Sequence, residues 1–136
     1  MAESSLHRDL VQLAINILKA NIPESEHWLI KADTDGFVRP RSVVNDFVPD
    51  VLFESDTLLI IGEAKTYDDF ERKHSIEQYE SYFEEFRICN KQSIFIISIP
   101  WGLFVTAKNY FRYLRRTTNT NVVVFVVNEL SECEQV

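Results

Sequence analysis

Three residues of one short stretch, Asp50, Glu63 and Lys65 in PDVLFESDTLLIIGEAK, could do chemistry together. They stand among Val51, Leu52, Leu59, Ile60 and Ile61, in segments that read as buried strands, and charge is costly to bury. Phe47 to Glu54 and Leu58 to Thr66 form an antiparallel hairpin if Asp56 and Thr57 are a two-residue loop. Counting back from that loop puts Asp50 opposite Glu63, with Cβ atoms about 4.5–5.5 Å apart. A longer loop makes the pair diagonal, still close enough to share a ligand. Lys65, two residues past Glu63, points to the same face, while Gly62 and Ala64 point to the other, where small side chains let a helix approach. Two carboxylates this close repel unless something sits between them. A hard divalent cation, magnesium or manganese, answers that repulsion, and the Ala64 carbonyl could add a third oxygen. Lys65 could then orient or deprotonate a water nucleophile, or offset charge growing on a phosphate. The plainer alternative is an ion pair between Glu63 and Lys65 at a strand end.

These residues need a scaffold, and the hydrophobic pattern supplies one. Residues 4–20 read as an amphipathic helix with Leu6, Leu10, Leu13, Ile17 and Ala20 at helical spacing and Ala14 and Leu18 widening the stripe. Ser4 or Ser5 caps its start; Asn21 and Pro23 end it. Residues 27–33 read as a strand, and Asp35-Gly36 as a turn. Pro40 makes residues 37–45 irregular or an edge. After the hairpin, residues 68–87 have helical periodicity, with Ile76, Tyr79, Phe83 and Phe86 on one face. Residues 93–99 are an apolar central strand, 103–116 a helix and 121–128 another apolar strand. The last eight residues are expected to be a frayed or polar tail. The order α-β-β-β-α-β-α-β predicts an α/β domain, a mixed sheet flanked by helices, spanning residues 1–136 as one unit.

The net charge of −7 argues against generic electrostatic binding of nucleic acid, so any such role must rest on local cations, bound metal or a partner. Lys108, Arg112, Arg115 and Arg116 form one stripe of the last helix, interleaved with Tyr110, Phe111 and Tyr113, and could track a phosphate backbone. Arg112 and Arg115 could equally pair with acidic loops, and last-turn cations also suit the helix dipole. Arg39 and Arg41, ahead of Asp50, could clamp phosphate as forks or be ordinary surface residues. His7, His27 and His74 show no ligand spacing. Cys89 and Cys133 have no metal-type spacing, and the N-terminus lacks the blocks of a secretory signal; free thiols and a cytoplasmic location are expected. No apolar run is long enough to span a bilayer.

Pro49-Asp50 followed by Glu63-Ala64-Lys65 at the end of an apolar strand resembles the PD-(D/E)XK nuclease superfamily. Gln78-Tyr79-Glu80-Ser81-Tyr82 in the next helix looks like the Q-x-x-x-Y motif of its RecB-type and related branches. The resemblance covers roughly residues 3–99. It implies a restriction-endonuclease-like αβββαβ core, with the last helix and strand as an extension. It implies that Asp50 and Glu63 bind magnesium, that Lys65 is the catalytic lysine, and that Gln78 and Tyr82 support the site or contact nucleic acid. A further first-helix acid is expected in many members; Glu3 and Asp9 are the candidates. The implied activity is metal-dependent hydrolysis of phosphodiester bonds, with DNA as the partner. The alternative is an inactive module on the same scaffold, serving as a protein-interaction or nucleic-acid-binding subunit. The strands at 93–99 and 121–128, or the aromatic helix faces, could support a homodimer or larger complex.

Overall fold

The computed structural model describes residues 4–136. Ser5–Asn21 forms α1, whose Ser4 hydroxyl caps the helix by accepting the His7 N–H. A six-stranded mixed sheet follows in sequential order: β1 (Lys31–Ala32), β2 (Val51–Glu54), β3 (Leu58–Ala64), β4 (Gln92–Ile99), β5 (Val123–Asn128) and β6 (Cys133–Gln135). Helix α2 (Lys73–Ile88) crosses from β3 to β4 and α3 (Phe104–Thr118) from β4 to β5, so these three strands run parallel; the other neighbours are antiparallel.

Alternation along the strands sorts the apolar residues into two layers. Val51, Phe53, Ile60, Ala64, Ile96 and Val127 face α1, which buries Leu10, Val11, Ala14, Ile15 and Leu18 against them. Leu52, Leu59, Ile61, Phe95, Ile97, Val124 and Val126 face α2 and α3, where Tyr79, Phe83, Phe86 and Phe111 build an aromatic core. Each large side chain fully buried this way contributes roughly 1.5–3 kcal/mol before entropy is counted. The α1 stripe is centred one step round from the expected line. Leu10, Ala14 and Leu18 are its middle, Val11 and Ile15 join it, and Leu6 lies 39% exposed.

Gly62 serves a different neighbour from the one its size suggests. A Cβ there would sit 2.9 Å from the Cβ of Val51, its directly opposed partner on β2. Cross-strand crowding, more than helix approach, excludes a side chain at this position. Gly62→Ala is expected to cost about 1–3 kcal/mol in urea unfolding, the usual penalty for an overfilled core; an unchanged midpoint would refute the crowding.

Three segments differ from the sequence expectation. Residues 27–33 contribute only the two-residue β1, because Pro23–His27 is a 3-10 turn and Trp28 lies flat on Phe53, centroids 3.9 Å apart. Phe47 to Asp50 is irregular. Asn45 and Asp46 both adopt left-handed φ, 61° and 63°, and Pro49 has no N–H for a ladder. Asp68 to Arg72 is a series of turns that buries Phe70, so α2 begins at Lys73. The tail is not frayed. Cys133–Gln135 pairs with β5 through its backbone, which needs no apolar side chains and covers the edge of the sheet. Among the described residues, no helix is long and apolar enough to cross a membrane.

Candidate active site

The β2–β3 hairpin turns through Asp56-Thr57. Ser55 N–H donates to the Leu58 carbonyl at 2.9 Å, and the Ser55 hydroxyl accepts the N–H groups of Thr57 and Leu58 at 3.3 and 3.1 Å. The resulting register, Glu54 opposite Leu59 through Val51 opposite Gly62, places Asp50 opposite Glu63 when continued by one pair. This is the short-loop register expected above.

Each carboxylate accepts a backbone N–H from the opposite arm of the hairpin. Asp50 N–H donates to Glu63 Oε2 at 3.1 Å, and Ala64 N–H donates to Asp50 Oδ2 at 2.9 Å. The next position in the register sets Pro49 opposite Ala64. Proline supplies no N–H, so β2 has no ladder donor for the Ala64 carbonyl. That carbonyl leaves the strand on the same side as the Ala64 N–H, toward Asp50. Lys65 completes the constellation: its Nζ donates to Gln78 Oε1 and lies 3.6 Å from Glu63 Oε1. Asp50, Glu63 and Lys65 are 8%, 3% and 8% exposed, so all three charges are largely withdrawn from water.

Helix α2 holds the site from behind. Gln78 and Tyr82, one turn apart, face the same way. Gln78 accepts from Lys65, and the Tyr82 hydroxyl donates to Glu63 Oε2 at 3.0 Å. Both are buried, and each bonds directly to one of the charged side chains. Burial first, and the Asp50 charge second, push the Glu63 carboxyl up to about 8, against the pull of Lys65, the Asp50 N–H and the Tyr82 hydroxyl. The Tyr82 phenol is itself pushed well above its ordinary value by burial and by Glu63, which keeps it a donor. Tyr82→Phe keeps the ring and removes the donor. It is expected to cost about 1–3 kcal/mol in denaturant titration, with the larger loss at alkaline pH, where Glu63 is ionised and the bond is charge-assisted. A loss that does not grow with pH would contradict this role.

One site neighbour escaped the sequence reading. His7 Nε2 lies 3.3 Å from Asp50 Oδ2. Its signal was helical period: His7 precedes Leu10 and Val11 by three and four residues, on the buried side of α1. Asp9 is exposed, and Glu3 lies outside the described residues. His74 packs edge-on against Phe47. Among the described residues, no group of three or more His, Cys, Asp and Glu side chains forms a ready-made metal cage. Two carboxylates and a main-chain carbonyl nonetheless suit a hard divalent cation, which takes its remaining ligands as water or substrate oxygen.

The cations are arranged differently from the expected stripe. Lys108 pairs with Glu134 of β6 at 2.9 Å and sits over the Phe104 ring. Arg115 donates to the carbonyls of Val122 and Val136. Both side chains therefore bind the chain's own C-terminal segment. Arg115 and Arg116 lie by the start of β5, whereas Glu63 and Lys65 lie at the end of the parallel β3. Arg112, which donates to Asn109, and Arg116 are exposed. Arg41 grips Glu54 with two bonds of 2.9 and 2.6 Å and lies 3.7 Å from Glu85. Arg39 is exposed on a cavity of about 440 Å³ shared with Arg8, Asp33 and Asp35. Cys89 and Cys133 are free thiols.

In comparisons with protein-family models, with curated proteins and with solved structures, the chain matches none.

Proposed function

We propose that this protein is a metal-dependent nuclease of the PD-(D/E)XK type, with a restriction-endonuclease-like core, that hydrolyses phosphodiester bonds of DNA. The observation that carries the reading is the convergence of Asp50, Glu63 and Lys65 at the end of a buried strand, each held by a second group. Structural ion pairs rarely need two opposed, buried carboxylates. The choice of DNA rests on the resemblance alone.

Asp50, Glu63 and the Ala64 carbonyl would hold magnesium, with manganese as the other hard candidate. The bound ion supplies positive charge that offsets both carboxylates, polarises phosphate oxygen and makes water more acidic. Glu63 must be ionised to serve, and Lys65, Tyr82 and the Asp50 N–H stabilise that form. Gln78 and Glu63 together fix the Lys65 ammonium, leaving N–H capacity for the water nucleophile or a phosphate oxygen. His7 steadies Asp50 from α1.

The test is incubation with plasmid, linear duplex, branched and single-stranded DNA, with magnesium and with chelator. Magnesium-dependent cleavage that disappears in Asp50→Asn is expected. No cleavage of any of these substrates would refute the reading. An inactive module on the same scaffold is the second reading, favoured by one observation. Lys108, Arg115 and Arg41 are engaged by the chain's own acids and carbonyls, which leaves few cations for phosphate. Its signature is magnesium binding absent by calorimetry.

A further inference from the structure

Nine large hydrophobic side chains are markedly exposed among the described residues, and four of them (Tyr67, Trp101, Val105 and Leu130) lie just past the carboxyl ends of β3, β4 and β5. That is the edge where open parallel sheets take their ligands, and it is the edge that carries Lys65. Tyr67 is two residues beyond Lys65. Trp101 follows Pro100 at the end of β4, the strand whose Ser98 carbonyl accepts the Lys65 N–H at 3.0 Å. Tyr67 and Trp101 are 55% and 58% exposed, yet neither loop is loose. Gly102 N–H donates to the Tyr67 hydroxyl at 2.9 Å, and a side chain on Gly102 would run into the Tyr67 ring. Trp101 N–H donates to Glu129 Oε2 at 2.7 Å, tying its loop to the β5–β6 turn.

We propose that Tyr67 and Trp101 are stacking surfaces for unpaired bases, so that the site takes single-stranded or end-frayed nucleic acid in preference to closed duplex. The proposal deepens the nuclease reading and rests on it for the identity of the ligand as nucleic acid. One feature favours bases over a protein partner: the rings follow the proposed cleavage residues on the same sheet edge, on loops pinned by main-chain N–H groups that donate to the Tyr67 and Glu129 side chains. For a nucleic-acid ligand, the net charge of −7 and the internally engaged cations leave phosphate attraction weak. Stacking is then the remaining source of sequence-independent affinity, and it works on every base. Fully paired bases present no free face to such rings.

The test measures binding in chelator, so that no cleavage intervenes. Trp28→Phe leaves Trp101 as the sole tryptophan, and oligo(dT) is expected to quench its emission, whereas a relaxed, covalently closed circular duplex is not. Anisotropy of labelled oligo(dT) with otherwise native protein gives an independent reading that does not depend on that variant. Tyr67→Ala and Trp101→Ala should each weaken binding roughly tenfold, with thermal stability and circular dichroism retained. Equal binding of the closed circular duplex and oligo(dT), or unchanged affinity in both variants, overturns the proposal. So does sedimentation showing a dimer that Trp101→Ala dissociates, since the rings would then belong to a second copy. The two readings fail separately. Quenching without cleavage on any substrate sinks the nuclease and leaves the platform, while cleavage of closed duplex without oligo(dT) binding does the reverse.

Discussion

Lys65→Met is expected to lower magnesium-dependent cleavage by about 10²–10⁴-fold, the range for removing a group that moves or holds a proton in the transition state. The variant should still bind magnesium, because the oxygen donors of Asp50, Glu63 and Ala64 remain. Its affinity should shift with pH, however. Lys65 is one of the groups that holds down the raised Glu63 carboxyl, so without it Glu63 keeps its proton to higher pH and competes longer with the metal. Gln78→Ala is the graded companion. It leaves the ammonium in place but removes the acceptor that orients it, and should cost much less than Lys65→Met. Full cleavage by Lys65→Met would remove the lysine from the chemistry. Loss of magnesium binding at every pH would mean that the mutation had dismantled the site instead of disarming it.

The metal-free protein is expected to lose stability as the pH rises from about 4.5 to about 8, and Glu63 is the cause. The sign follows from linkage. A carboxyl raised by burial and by Asp50 keeps its proton in the native state over a range where the unfolded chain has already released it. Its contribution is therefore complete below the ordinary carboxyl value and disappears as pH passes through the raised one. The limiting slope is about 1.4 kcal/mol per pH unit for one proton. Denaturant titrations at several pH values, wild type against Glu63→Gln, isolate it; parallel curves would refute it. Magnesium should reverse the trend, adding about 2.7 kcal/mol at a hundredfold excess over its dissociation constant, and binding near neutral pH should release a proton. Glu63→Ala is a poorer probe. It strands the Tyr82 hydroxyl and the Asp50 N–H and removes the acid beside the Lys65 ammonium at once.

The hairpin was legible because local chemistry determined it. Asp56-Thr57 between two apolar runs admits a two-residue loop, and strand period then brings Asp50 across from Glu63 without reference to the rest of the chain. Gln78 and Tyr82 were legible as one helix face for the same reason, since their spacing is one turn. Their burial was not. Gln78 and Tyr82 look like surface polar residues until α2 is laid on the sheet and Lys65 and Glu63 arrive as partners. His7 needed the same step, because only the packing of α1 on the opposite layer carries it to Asp50. The α3 stripe shows the reverse. Lys108 and Arg115 are correctly spaced for a phosphate track, yet β6 and the chain end occupy them. Strand pairing through the backbone alone left no hydrophobic pattern in residues 133–135 to announce it.

By itself, then, the chain's order of residues determined what repeats locally: strand alternation, helical faces, the loop length, and so the opposition of two acids with a lysine beside them. Tertiary structure alone decided how those charges are tolerated and which cations stay available. Burial raises Glu63, and partners from α1, α2 and β6 arrive from far along the sequence. Period and spacing describe neighbours along the chain, whereas desolvation and long-range hydrogen bonds depend on neighbours in space.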